Sequence, residues 1–266
     1  MKNFLWFLLF FPLTAWGQRE LQQEKLLGNI KTLETKTFTV VDEVPAKVYN
    51  YNILNKFDTK GKLYEVVFLG NDELMDNKEI ISYLPVGFVK EVAIYNREGR
   101  KDKVMTFQYN SKNQLIKEIK SETNKGVEYE SAFEYNDKKQ LIKKIQFFPS
   151  IDYTITEDYS YFNDNISELR RASHTGINTE KYLYNENGWL LEKTELNDKN
   201  IVFSDIFYEY NEKGLKTALI KIDETGEISY FEQYEYQFDS KGNWIEKKIY
   251  IKGDWTSVEK RNITYF

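Results

Sequence analysis

Tyr184-Asn185-Glu186-Asn187-Gly188-Trp189-Leu190 states in seven residues the rule by which most of this 266-residue chain is written. An aromatic residue is followed by Asn or Asp, two polar residues and Gly, after which an apolar stretch resumes. The phrase recurs at Phe57-Asp58-Thr59-Lys60-Gly61, Tyr95-Asn96-Arg97-Glu98-Gly99, Tyr210-Asn211-Glu212-Lys213-Gly214 and Phe238-Asp239-Ser240-Lys241-Gly242. Copies without the Gly begin at Tyr109-Asn110, Tyr135-Asn136 and Phe162-Asn163. The last five copies start 27, 22, 26 and 28 residues apart. A recurrence of that length marks units that cannot bury a core alone and must stack on one another.

The phrase has a mechanical reading. Asp58, Asn96, Asn185, Asn211 and Asp239 take the first position of a type I turn, where the side chain accepts a bond from backbone two residues on. Gly61, Gly99, Gly188, Gly214 and Gly242 then supply the left-handed residue that returns the chain to the ladder. Lys139 and Ile166 occupy that place in two copies and suit it badly, which predicts distorted or longer turns there.

The flanks alternate with the period of a strand. Val127, Tyr129, Phe133 and Tyr135 share one face, as do Ile228, Tyr230, Tyr234, Tyr236 and Phe238. Further turn signals at Asn124-Lys125-Gly126, His174-Thr175-Gly176, Asp223 to Gly226 and Lys252-Gly253 link one hairpin to the next. The fold class is therefore all-β, an antiparallel meander of repeated hairpins forming an elongated or curled sheet. The N-terminal third is less regular. Arg19 to Leu27 reads as a short helix, a strand opens at Leu27 and runs towards Val41, and Asn71 to Met75 reads as a capped helical turn. The division expected is an export signal at 1–17, a capping region with an insertion (Asn71 to Phe88) at 18–94, and the hairpin array at 95–266.

Lys2, the apolar run Phe4 to Leu13 and the small residues of Ala15-Trp16-Gly17 compose that signal, with cleavage before Gln18. The run is too short to span a bilayer as a helix, which takes about 20 apolar residues, and no later stretch approaches that length. The chain has no Cys, which excludes a lipid-anchored lipoprotein and any disulfide. A net charge of −5 with Lys and Glu interleaved argues against nucleic acid as a partner. The expectation is an exported protein, periplasmic rather than secreted.

The phrase at Phe57 to Leu63 and at Tyr184 to Leu190 resembles the YD repeat of the RHS superfamily. The opening Leu27-Gly28-Asn29-Ile30-Lys31 and the closing Asp239 to Trp244 and Arg261 to Tyr265 resemble short exported YD-repeat proteins of Bacteroidetes. The likeness covers roughly residues 27 to 266. It implies a hairpin array and, for some members, carbohydrate binding. The Arg-x-Tyr lead-in of long RHS proteins is missing and no cargo domain follows, so toxin delivery is not implied.

The catalytic inventory is thin. One His, His174 in a polar turn, and no Cys exclude the usual nucleophilic triads and His-rich metal sites. No cofactor and no metal are expected. Glu130, Glu157 and Asp205 stand five residues before their turn aromatics and compose the one route to an enzyme, polysaccharide hydrolysis by paired carboxylates. Lys144 and Arg171 at matching distance point instead to cross-strand ion pairs. Tyr129, Tyr153, Tyr159, Tyr208, Tyr230, Tyr234 and Trp255 are the candidate binding residues, because such rings stack on sugars and suit half-wet surfaces. The leading expectation is a non-enzymatic binding or scaffolding module of the bacterial envelope, with a glycan or an envelope protein as partner. An outer-membrane barrel is the further alternative, given the signal and the terminal Phe266. Lys143 and Lys144 on opposite faces of one strand, and Glu192 and Lys193 on another, weigh against it, because a lipid-facing Lys costs about 2–4 kcal/mol at the midplane.

Overall fold

The computed structural model describes residues 26–266. The expected export signal lies outside the described residues, as does the expected helix except for Leu26 and Leu27, which are not helical. The chain runs through β1 (Ile30–Val41), β2 (Val44–Pro45), β3 (Tyr51–Phe57), β4 (Leu63–Leu69), β5 (Met75–Tyr83) and β6 (Val89–Tyr95). It continues through β7 (Lys101–Tyr109), β8 (Leu115–Glu122), β9 (Gly126–Tyr135), β10 (Leu141–Phe148), β11 (Tyr153–Phe162) and β12 (Asn165–Ser173). β13 (Gly176–Tyr184), β14 (Leu190–Leu196), β15 (Val202–Tyr210), β16 (Lys216–Asp223), β17 (Ile228–Phe238), β18 (Trp244–Ile251) and β19 (Asp254–Tyr265) complete it. Among the described residues the one helical element is a 3₁₀ turn at Pro149–Ile151.

From β3 onward each strand pairs antiparallel with the next, and β1 closes the circle. One edge of β1 meets β3 from Thr32↔Lys56 to Thr37↔Tyr51, and the other meets β19 from Thr32↔Thr264 to Thr39↔Ser257. All strands except β2 thus form an 18-stranded closed barrel, which leaves no long edge unpaired. Asn243 clasps the seam: its side-chain amide donates to the Leu27 carbonyl at 2.7 Å and to the Tyr265 hydroxyl at 2.9 Å, while its oxygen accepts from the Leu27 N–H at 2.7 Å.

The turn phrase works as its residues demand. At Asn185 the side-chain oxygen accepts from the N–H groups of Asn187 and Trp189 at 3.0 and 2.9 Å, and Gly188 sits at φ 77°. The same pair of bonds forms at Asp58, Asn211 and Asp239. Two expectations change. Lys139 makes an ordinary copy of the turn at φ 65°, because the ladder on either side outweighs the cost of a Cβ there. The copy at Phe162 is shorter and not longer, a two-residue turn through Asn163 and Asp164 with Phe162 paired to Asn165.

The hairpin ends also correct the N-terminal reading. Gly70 to Leu74 is a turn of the same pattern, closed by Gly70 N–H to Leu74 O at 2.9 Å, and not a helical turn. Leu84 to Phe88 is another, with Gly87 at φ 98°. The stretch read as an insertion is therefore a regular hairpin whose turn lacks the Asn or Asp. Tyr83 is the missing copy: Phe57, Tyr83, Tyr109, Tyr135 and Tyr161 stand 26 residues apart. Their turns all lie at one end of the barrel, the tyrosine rim. Asn96 and Gly99 make the same turn at the opposite end, the far rim, because β6 runs the other way.

Six of the rim tyrosines are bonded to the preceding unit. The hydroxyls of Tyr83, Tyr109, Tyr135, Tyr161, Tyr210 and Tyr236 donate to the carbonyls of Leu63, Val89, Leu115, Leu141, Leu190 and Lys216, in every case 20 residues back, at 2.5 to 2.9 Å. The repeat length is set by this bond as much as by the turn.

A closed single sheet has no second layer, so the face whose side chains bury one another is the concave one. In β9, Tyr129, Ser131 and Phe133 are buried, while Ala132 and Glu134 on the other face are exposed. The register carries that inner face around the barrel through Ile53, Val66, Val92, Met105 and Phe107, all buried.

Candidate functional site: the lumen wall

The lumen wall has two different halves. From β3 to β9 it is built on an apolar cluster of Ile53, Val66, Ile81, Val89, Met105 and Phe133 with their neighbours, interrupted by the buried Glu118 and by Glu128 between Lys103 and Lys120. From β10 to β19 it carries tyrosines and a chain of ion pairs. Glu157 accepts from Arg171 Nε at 2.9 Å and from the Tyr159 hydroxyl at 2.8 Å, with Lys144 Nζ at 3.9 Å. Arg171 reaches on to Glu180 at 3.7 Å, and Glu180 accepts from the Tyr182 hydroxyl. Lys193 bonds Glu195, which also faces Lys221 at 4.0 Å. Lys247 and Glu259 meet at 2.8 Å beside the seam. The partly buried groups are paired, as a low-dielectric wall requires.

Of the candidate binding residues, Tyr129 and Tyr159 are buried, their hydroxyls turned to Glu118 at 2.7 Å and to Glu157. Tyr153, Tyr208, Tyr230 and Tyr234 lie half-buried on the same inner face. Trp255 sits near the far rim and donates its indole N–H to the Ser257 carbonyl at 3.0 Å. They form no outer platform. Tyr153 borders a recess of about 340 Å³ with Arg171, Ser173, Asn178 and Asp198, and its ring meets His174 edge-on at 4.5 Å.

The three candidate carboxylates are not brought together. Glu130 and Asp205 stand five residues before the rim tyrosines Tyr135 and Tyr210, an odd number that turns them to the convex face. Glu157 stands four before Tyr161 and faces the lumen. Glu130 meets Lys117 at 2.8 Å and Glu157 meets Arg171 and Lys144, so both are held in ion pairs. Glu180 and Glu232, which sequence reasoning passed over, also stand four residues before rim tyrosines, and that even spacing was the available signal. Among the described residues no three Asp, Glu or His side chains converge as a metal site, and no helix is long and apolar enough to cross a membrane, which says nothing of strands.

No family model matches the chain, and no curated protein matches it. Among solved structures, a porin-like protein from Bacteroides uniformis aligns with TM-score 0.50 and 14% identity over 90% of this chain and 99% of its own. A porin-like protein from Bacteroides vulgatus aligns at 0.39 and 11% identity, over 87% and 97%. The Tc holotoxin pore of Photorhabdus luminescens aligns at 0.39 and 12% identity, over 85% of this chain and 14% of the toxin chain. The first shows a shared fold; the other two are too distant to carry an argument. Membership of the RHS superfamily is accordingly not carried forward.

These findings overturn the leading expectation. The glycan-binding or scaffolding reading took the aromatic strand faces as a platform open to a ligand or partner. The sheet instead closes, turns that face inward and takes the fold of a porin-like barrel. The objection from charge is also answered in part. Lys144 and Lys193 face the lumen, and Lys143 and Glu192, on the convex face, lie beside the tyrosine rim, not at mid-height.

Proposed function

We propose that the protein is an outer-membrane β-barrel of a bacterial envelope, the wall of a lumen lined by tyrosines and paired charges. The observation that carries this reading is the closure of β1 onto both β3 and β19. A closed antiparallel barrel satisfies every strand edge internally, which is what a lipid-embedded sheet must do. The polar groups lie in quantity on the inner face, as in barrels of that class, and the export signal read at residues 1–17 supplies the route. The fold shared with the porin-like protein of B. uniformis supports the same assignment.

The test is fractionation. Expressed with its signal in a Gram-negative host, the protein is expected in the outer-membrane fraction, retained through alkaline extraction, and to migrate faster on detergent gels unheated than boiled. Quantitative release by osmotic shock in soluble form would refute the assignment.

A further inference from the structure

The recess beside Tyr153 lies at the far rim, between the turn joining β12 to β13 and the turn joining β14 to β15. Its volume of about 340 Å³ suits a small molecule. Two opposite charges line it. Arg171, on β12, gives its Nε hydrogen to Glu157 at 2.9 Å and stands 3.7 Å from Glu180, too far for a hydrogen bond, so its terminal donors remain for an incoming group. Asp198, in the β14–β15 turn, is exposed and has no ion-pair partner among the described residues. Two amides lie between these charges in register. Arg171 pairs with Asn178 on β13, and the pairing of Thr179 with Leu196 sets Asn178 beside Asn197. Asn178 is exposed and offers a donor and an acceptor. The Asn197 oxygen accepts from the N–H groups of Lys199 and Ile201, each at 3.0 Å, which leaves its NH2 as a donor. Ile155 and the Tyr153 ring, the latter braced by His174, supply an apolar border.

We infer that this recess binds a dipeptide, with its carboxylate on Arg171, its peptide group on Asn178 and Asn197, its ammonium on Asp198 and an apolar side chain against Tyr153 and Ile155. The charges select the class. A simple anion would face Asp198 and the two glutamates behind Arg171, and a simple cation would face the guanidinium. A molecule with one charge of each sign at its two ends satisfies both. Length selects within that class. β12 and the end of β14 are two strand spacings apart, roughly 10 Å between backbones. An extended dipeptide places its charged ends about 7 Å apart, a gap that the Arg171 and Asp198 side chains close. The two amides meet the polar group that a dipeptide carries between its ends and a single amino acid lacks. The site is formed by the wall alone and does not rest on the outer-membrane reading.

Calorimetric titration of the purified, folded protein with alanyl-leucine tests the assignment. Saturable binding is expected. It should weaken about tenfold when the ammonium is removed in N-acetyl-alanyl-leucine or the carboxylate in alanyl-leucinamide, the usual loss with a charged hydrogen-bond partner. Free leucine should also bind about tenfold more weakly, for want of the peptide group. Asp198→Asn, in an exposed turn, should weaken alanyl-leucine by a similar factor and leave the N-acetyl compound unaffected. No saturable binding of alanyl-leucine, equal binding of either capped compound, or wild-type affinity in Asp198→Asn would overturn the site. Leucine binding as tightly as alanyl-leucine would overturn the dipeptide class. Each of these results leaves the outer-membrane reading to its own test by fractionation.

Discussion

The hydroxyl of Tyr135 donates to the carbonyl of Leu115, 20 residues earlier, at 2.9 Å. The bond ties the end of one hairpin to the start of the strand before it, and five other tyrosines repeat it around one rim. Tyr135→Phe is expected to lower stability by about 1 kcal/mol, the usual worth of such a bond. Tyr95→Phe, at the far rim, lacks this bond and should change stability by less than about 0.5 kcal/mol. Urea titration of both folded variants checks the contrast; equal losses would sink the stapling role.

Glu157 holds Arg171 and Lys144 together in the wall, and its side chain is only 12% exposed. Glu157→Ala should cost about 3–5 kcal/mol, because it leaves buried positive charge uncompensated. Replacing Glu157 and Lys144 together by Leu and Met should cost clearly less than the sum of the single changes. A double-mutant cycle from denaturation midpoints reads the coupling, and simple additivity would contradict the network.

Lys139 occupies at φ 65° a place that other copies give to Gly. Lys139→Gly is expected to stabilise by up to about 1 kcal/mol by removing the Cβ clash of a left-handed residue. Gly188→Ala, at φ 77° with open space around the added carbon, should destabilise by about the same amount for backbone reasons alone. Thermal unfolding of the two variants should shift in opposite directions.

Asp239 anchors the seam turn. Partial burial raises its pKa, but bonds from the Tyr265 hydroxyl and from the backbone N–H groups of Asn243, Lys241 and Gly242 outweigh it and hold the carboxyl below its ordinary range. A depressed folded pKa contributes stability that is present above the unfolded pKa, about 3.9, and is lost as pH falls through the folded value. Wild type should therefore lose its advantage over Asp239→Asn only below about pH 4. Denaturation midpoints between neutral and acid pH test this; a constant difference throughout would refute it.

Much of the fold was legible in local chemistry. Asn185 and Gly188 specify a turn by their own backbone preferences, and the alternation of Tyr129, Phe133 and Tyr135 specifies a strand with one inner face. These are short-range facts, and the structure keeps them. The missed hairpin shows where that reasoning ends: Leu84 to Phe88 makes the same turn without Asn or Asp, recognised only through the 26-residue spacing of Tyr83 and its bond to Leu63. The candidate carboxylates fail for a related reason. Counting from the turn aromatic joined Glu157 to Glu130 and Asp205, although one residue of parity sets them on opposite faces of the wall.

By itself the sequence determined an all-β antiparallel meander and its turn chemistry, because each depends on residues close together in the chain. Tertiary structure alone decided that the meander closes, since closure is the sum of small rotations between many strands and no local residue records where that sum ends. It is Thr32 lying between Lys56 on one side and Thr264 on the other that makes the array a barrel. Closure in turn assigns the candidate tyrosines Tyr129, Tyr153, Tyr159, Tyr208, Tyr230 and Tyr234 to the lumen.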